Sequence, residues 1–265
     1  MLAIAHRAGN TVDEIRAAIS AGMDLVEADV RYHGGALELR HKKALGPWAL
    51  WDHPWEFAWR SAAYVPIVEE ILPELRDRGH IMLDLKGTSR AMPKKLARVL
   101  RVAGVPATVC TRRWWMLDAF AEDPSVRLVL SAGNSWELNR LLGVVQQSPH
   151  DWPGGRRAYG VSVKRKLLTP GVVAELHRNV EVVMTWTVDT PIELDDARSL
   201  GVSGAIGKNL DVLRELIAQT DGLRGHPGVG QHDLSAERVG GRGTRRLAIA
   251  PRRNVRKDES PDTSG

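Results

Sequence analysis

One cysteine, Cys110, serves a chain of 265 residues. An internal disulfide is therefore excluded, and nothing favours an oxidising compartment. No apolar run approaches the roughly 18 residues needed to span a bilayer. The opening Met-Leu-Ala-Ile-Ala-His-Arg already reads as a strand, with neither the basic start nor the apolar stretch of a secretory signal. A cytoplasmic location is the expectation. A Gly-x-Gly-x-x-Gly run after this first strand is missing too, so an open dinucleotide-binding sheet lacks its main sequence support. Excess charge is nearly absent from most of the chain. The net charge is +5, but residues 221–265 carry nine Lys/Arg against six Asp/Glu, or +3, which leaves +2 for the first 220. The basicity is a property of the C-terminal stretch, and a nucleic-acid partner is not expected.

What is present is a rhythm. Hydrophobic residues make up 43% of the chain, enough for a sizeable core. Short β-rich runs at 2–7, 24–30, 80–86, 107–111, 126–131, 159–164, 180–188 and 204–206 alternate with helical patterns near 12–21, 67–78, 91–103, 114–122, 134–147, 170–178, 191–199 and 209–218. Eight strand–helix units in a row predict an α/β fold, a (β/α)8 TIM barrel over residues 1–220. Residues 31–66 interrupt the rhythm after the second strand, with a short extra strand at 36–40 and then a Trp-rich segment. Trp48, Trp51, Trp55 and Trp59 are spaced by three, four and four, which on a helix makes one stripe. That stripe suits a lid or a peripheral membrane contact, or simply a short helix packed on the barrel. Asp52, His53 and Glu56 share the segment and can face either the site or solvent. From 221 onward Gly, Arg, Asp, Ser and Pro dominate, so residues 221–265 are expected to form a disordered, solvated tail.

The chemistry-bearing residues fall at strand ends, where barrel enzymes keep their sites. Glu27 and Asp29 alternate on one strand and so face the same side. Two convergent carboxylates repel unless a cation lies between them, and oxygen ligands suit Mg²⁺ or Ca²⁺. Asp84-Leu85-Lys86 repeats the arrangement on the third strand: Asp84 can supply a third carboxylate, and Lys86 can hold a phosphate oxygen. Solvated acids and a local ion pair are the plainer alternatives. His6 and His41 are candidate proton carriers for phosphodiester cleavage, which needs both a base and an acid. Arg7 reaches a phosphate or pairs with a nearby acid. Trp186 can wall the apolar part of a substrate or belong to the core, and Lys164, at the end of the sixth strand, can reach the phosphate or stay solvated.

The ordered set His6-Arg7, Glu27-x-Asp29, His41, Asp84-x-Lys86, with Trp186-Thr187-Val188-Asp189 and Gly201-Val202-Ser203-Gly204, resembles the glycerophosphodiester phosphodiesterase family over about 210 residues. The resemblance implies a TIM barrel and one divalent cation held by Glu27, Asp29 and Asp84. It implies His6 and His41 as the acid/base pair, and hydrolysis to glycerol phosphate and an alcohol through a cyclic phosphate, with a place in lipid and glycerol metabolism. Gly9 stands where the family carries an acid, Lys42 where an Asp commonly follows the second histidine, Asp84 where many members have Glu, and Ile206-Gly207-Lys208-Asn209 where Thr-Asp is usual. The compact Asp-x-Lys form also resembles the sister branch of sphingomyelinase D-like phospholipases, which implies lysophospholipids as an alternative substrate. A barrel that binds a phosphate ligand without turnover is the third reading, suggested by Gly9 and Lys42.

Overall fold

The computed structural model describes residues 1–52, 57–75 and 81–224. Trp55, His53 and Glu56, and the stretch 225–265 expected as tail, lie outside the described residues. Eight parallel strands close into a barrel: β1 Leu2–Ala5, β2 Leu25–His33, β7 Ile81–Leu85, β8 Ala107–Thr111, β9 Val126–Ala132, β10 Gly160–Lys164, β11 Val182–Trp186 and β12 Gly204–Gly207. Each pairs with the next, and β1 closes the ring by pairing with both β12 and β2. Helices α1 Val12–Ser20, α2 Val68–Leu75, α3 Ala91–Ala103, α4 Ser135–Val145, α5 Pro170–His177, α6 Pro191–Leu200 and α7 Leu210–Arg224 follow seven of the strands. After β8 the expected helix near 114–122 is a 3₁₀ helix, Trp114–Phe120. Helix α7 runs on to Arg224, past the expected domain end at 220. Among the described residues no helix is long and apolar enough to cross a membrane.

The strands read as continuous apolar runs because both of their faces are covered. Ala3, Val26, Leu83, Val109 and Val161 face the helices, while Ile4, Leu25, Met82, Cys110, Val129, Met184 and Ile206 fill the barrel interior. Thr11, Asn134, Thr169 and Thr190 cap α1, α4, α5 and α6 with side-chain oxygens, so each of these loops is terminated by a defined helix start. Arg165, on the β10–α5 loop, is held by Glu193 and Asp196 of α6.

The insertion after β2 differs from the expected helix. The strand β3 Ala36–Leu39 returns antiparallel to β2, as the sequence suggested. The Trp-rich segment then forms a small antiparallel sheet of β4 Lys43–Leu45, β5 Ala49–Trp51 and β6 Phe57–Trp59. The three-four spacing of Trp48, Trp51 and Trp59 is therefore not a helical stripe. Gly46, at φ 60°, and Pro47 reverse the chain where a helix would have to continue, and Trp and Phe favour the strands on either side.

Candidate active site

The inward face of the barrel is apolar low down and polar at the C-terminal rim. Two residues beyond Ile4, Leu25, Met82, Cys110, Val129 and Met184 stand His6, Glu27, Asp84, Arg112, Ser131 and Trp186. All six of these, with Arg7, His41, Lys86 and Ser162, line one cavity of about 320 Å³. Strand periodicity alone thus converts an ordered core into an ordered site.

The carboxylates come from neighbouring strands. Asp29 of β2 and Asp84 of β7 are register partners, and Glu27 lies two residues below Asp29. Each offers an oxygen within 4.8 Å of the other two. Asp29 is fully buried, and neither of its oxygens accepts a hydrogen bond. Among the described residues their partners are cations: Lys86 Nζ at 3.1 Å and Arg7 Nε at 3.4 Å. Burial, then the negative charges of Asp29 and Asp84, push the Glu27 carboxyl well above the usual range. Burial raises Asp84 as well, against the opposing pull of Lys86, with which it is in contact. Burial works against the Lys86 charge, but Asp84, Asp29 and Glu27 together hold its ammonium far above the ordinary lysine value. Three convergent carboxylates, with both Asp29 oxygens buried and without a hydrogen bond, fit a hard divalent cation of the Mg²⁺ or Ca²⁺ kind.

The turn after β1 fixes the acids from below. Arg7 adopts a left-handed conformation at φ 60°, rare for a residue with a side chain, and its backbone N–H donates to Glu27 Oε2 at 2.7 Å. Asn10 accepts from the Asp29 N–H at 3.1 Å. Gly9 lies so close to β2 that a Cβ there would meet the Ala28 Cβ at 2.6 Å and the Glu27 carbonyl oxygen at 3.0 Å. The glycine in the acid's usual position is a packing requirement of this turn.

The two histidines border the same cavity from opposite elements. His6 Nε2 is 3.9 Å from Glu27 Oε2, and its Nδ1 is buried without a partner. Burial, reinforced by the Arg7 charge, lowers its pKa to about 4, so the ring is neutral at physiological pH. His41 Nδ1 meets the Asp52 carboxylate, and the His41 carbonyl accepts from Arg31 Nε at 3.0 Å. Burial holds His41 below the ordinary imidazole value, with Asp29 and Asp52 opposing that shift. Lys42, in place of the adjacent Asp, uses its carbonyl to accept from Arg40. The orienting carboxylate comes instead from the end of β5. The pairing of Lys43 with Trp51 sets 42 opposite 52, which brings Asp52 beside His41.

Arg112 is a residue of this site that sequence reasoning missed; Asn10 and Lys208 were given no role, and Asp52, which on sequence could face the site or solvent, faces the site. Arg112 is clamped by Glu137, with Nη2–Oε1 at 2.7 Å, and lies at the cavity wall. Trp186 is half-buried and lines the cavity. Lys164 is exposed and lines neither the cavity nor its neighbour. That neighbour is a wider cleft of about 700 Å³ that shares His6, Arg7 and His41 and adds Leu39, Tyr64, Pro66 and Leu210. A cavity of about 780 Å³ elsewhere, between α2 and α3, is apolar with a basic rim and has one carboxylate, Glu69. Size does not select the site; the convergence of acids, bases and cations does.

Comparison of the sequence with family models and with curated proteins finds no match. Solved structures do match. A glycerophosphodiester phosphodiesterase from Thermotoga maritima superposes with a TM-score of 0.62 over 82% of this chain and 98% of that one, at 16% identity. The chain shares its barrel fold with the glycerophosphodiester phosphodiesterases. One from Agrobacterium tumefaciens gives a TM-score of 0.58 at 18% identity, covering 81% of this chain and 100% of that one. A phosphodiesterase from Oleispira antarctica, solved with its product sn-glycerol-3-phosphate, gives 0.61 at 14% identity, covering 83% and 97%.

Proposed function

We propose that this protein is a divalent-cation-dependent phosphodiesterase that hydrolyses glycerophosphodiesters to glycerol phosphate and an alcohol. The observation that carries the reading is the convergence of His6, His41, Glu27, Asp84 and Lys86 on one cavity at the barrel mouth, with buried Asp29 completing the acid triad behind it. Glu27, Asp29 and Asp84 would hold the cation, which when bound supplies Lewis-acid stabilisation of phosphoryl oxygen charge. Lys86, Arg7 and Arg112 present positive charge to the same phosphate. Neutral His6 takes the proton from a free glycerol hydroxyl of the substrate as that oxygen bonds to phosphorus. His41, held by Asp52, gives its proton to the departing alkoxide as the P–O bond breaks. The products of this half are a cyclic phosphate and the free alcohol. Water then opens the ring: His41 takes a water proton and His6 returns its own to the glycerol oxygen. The sum is one diester and one water consumed. A cytoplasmic location belongs to the same proposal.

The test is hydrolysis of glycerophosphocholine followed by ³¹P NMR. Wild type turns the substrate over with Mg²⁺ or Ca²⁺ and stops with EDTA, while His6→Ala and His41→Ala each lose activity by at least about a hundredfold. Unchanged rates in both variants, or indifference to EDTA, would sink the reading. Tight phosphate-ligand binding without turnover would leave a binding barrel instead. The wide cleft beside the cavity, with Leu39, Tyr64, Pro66 and Leu210 in its wall, favours one second reading: a phospholipase D-like enzyme taking lysophospholipids. Faster choline release from lysophosphatidylcholine than from glycerophosphocholine would select it.

A further inference from the structure

The rim of the site also carries the protein's exposed apolar groups. Among the described residues ten large hydrophobic side chains are exposed, and eight of them belong to segments that follow the C-terminal ends of barrel strands. Six of the eight are aromatic: Trp48, Phe57, Trp59, Tyr64, Trp115 and Trp136. The other two of the ten, Met1 and Val102, precede β1 and sit in the last turn of α3, at the opposite end of the barrel. Single exposed apolar residues are ordinary on any surface, but their segregation to one end is not.

The insertion sheet sharpens this asymmetry. Its register sets Leu45, Ala49, Trp59, Phe57, Trp51 and Lys43 on one face, with Ala44, Leu50 and Ala58 on the other. Leu50 is buried, whereas Trp48 and Trp59 are 71% and 61% exposed. Phe57 and Trp59 brace each other edge to face, with ring centroids 5.2 Å apart. The Lys43 ammonium lies 5.8 Å from the Trp51 ring, so the sheet's apolar face carries a cation at its edge.

Exposed cations are spread around this end. Lys43, Arg90, Arg113, Lys164 and Lys166 are exposed, follow four different barrel strands, and form no ion pair among the described residues. Several acids of the same rim are paired, Glu137 with Arg112, Glu193 with Arg165 and Asp52 with His41, while among the described residues exposed Asp13 and Glu14 after β1 and Asp118 after β8 form no ion pair. A ring of free cations around exposed Trp and Phe is complementary to an anionic headgroup layer over acyl chains. A second copy of the same face is a poor match, because it would bring two cationic rings together.

We propose that the barrel docks by its catalytic mouth on an anionic lipid bilayer, with Trp48, Phe57 and Trp59 entering the headgroup region and the Lys/Arg ring lying against lipid phosphates. The docking is independent of the reaction, and its test reads binding rather than turnover. The full chain is sedimented with phosphatidylcholine vesicles, with and without phosphatidylserine. Wild type should bind the phosphatidylserine vesicles, and the Trp48→Ser/Trp59→Ser double variant should bind at least about tenfold more weakly. Both side chains are largely solvent-exposed, so an unchanged melting temperature is expected and checks the fold. Because the basic stretch beyond 221 can attract the same vesicles, a second readout isolates the mouth. Lipids brominated near the headgroup should quench wild-type tryptophan fluorescence and leave that of the double variant little changed. Lys164→Glu/Lys166→Glu should weaken binding to the anionic vesicles. The proposal is overturned by any of four results: no vesicle binding, equal binding by the double tryptophan variant, no preference for phosphatidylserine, or a dimer in solution that the tryptophan substitutions dissociate.

Discussion

Replacing Asp52 by Asn isolates the part of the site that joins the insertion to the barrel. The Asp52 carboxylate meets His41 Nδ1, and their side chains are 10% and 30% exposed. Asn keeps the size and can still accept a hydrogen bond, but it removes the negative charge that favours a protonated ring. A hydrogen bond to a charged group contributes about 1.5–3 kcal/mol. If that contribution is realised in the step where His41 protonates the leaving alkoxide, kcat falls roughly 10- to 150-fold. KM should change much less than kcat. The pH profile gives a second readout with a defined sign. Burial already holds His41 below the ordinary imidazole value, and Asp52 is one of the groups opposing that shift. Without it the folded-state value drops further, the protonated fraction at neutral pH shrinks, and the alkaline limb of kcat/KM moves to lower pH. Steady-state hydrolysis of glycerophosphocholine across the pH range measures both effects, with thermal melting as the fold control. A kcat within about twofold of wild type, together with an unmoved alkaline limb, would refute the role assigned to Asp52.

Excess Mg²⁺ or Ca²⁺ should raise the wild-type Tm through binding to the native state, and Asp29→Asn should abolish the rise; an equal shift in the variant excludes the three-carboxylate site. Glu38→Ala should cost about 3 kcal/mol in urea unfolding, because buried Glu38 compensates both Arg40 and Arg60. Burial raises the Glu38 carboxyl, but Arg60 and Arg40 outweigh it and hold it below its ordinary value. Its contribution is therefore present above the ordinary glutamate range and lost as pH falls through the depressed folded value, so the Glu38→Ala penalty should shrink in acid. Gly9→Ala forces a Cβ to within 2.6 Å of the Ala28 Cβ. The adjustment should cost about 1–3 kcal/mol in the same unfolding assay and, by shifting Glu27, lower activity more than stability alone explains.

The strands were legible because a parallel barrel buries both faces of each one, which leaves continuous apolar runs such as Ala107–Thr111 in the sequence. Glu27 and Asp29 were legible for a related reason: period-two alternation fixes that they share a face whatever their neighbours do. The insertion and its first strand, β3, were legible too, but its Trp-rich part was not. A three-four spacing of tryptophans satisfies helical periodicity, and only the Gly46-Pro47 reversal and the pairing of β4 with β5 and β6 decide against it. The 3₁₀ helix at Trp114–Phe120 was likewise read as an ordinary helix, since its apolar pattern resembles one turn after another of either kind.

By itself the sequence determined the alternation of strands and helices and the order of His6, the paired acids, His41 and Asp84-x-Lys86 along the chain. Those follow from local periodicity and covalent order. Tertiary structure alone decided which of these groups meet. Strand register made Asp29 and Asp84 neighbours, an antiparallel hairpin carried Asp52 across to His41, and close approach to β2 required glycine at position 9. It also excluded Lys164 from the cavity and brought Arg112 in. Contacts between residues far apart in the chain depend on register and closure, and no local pattern encodes either.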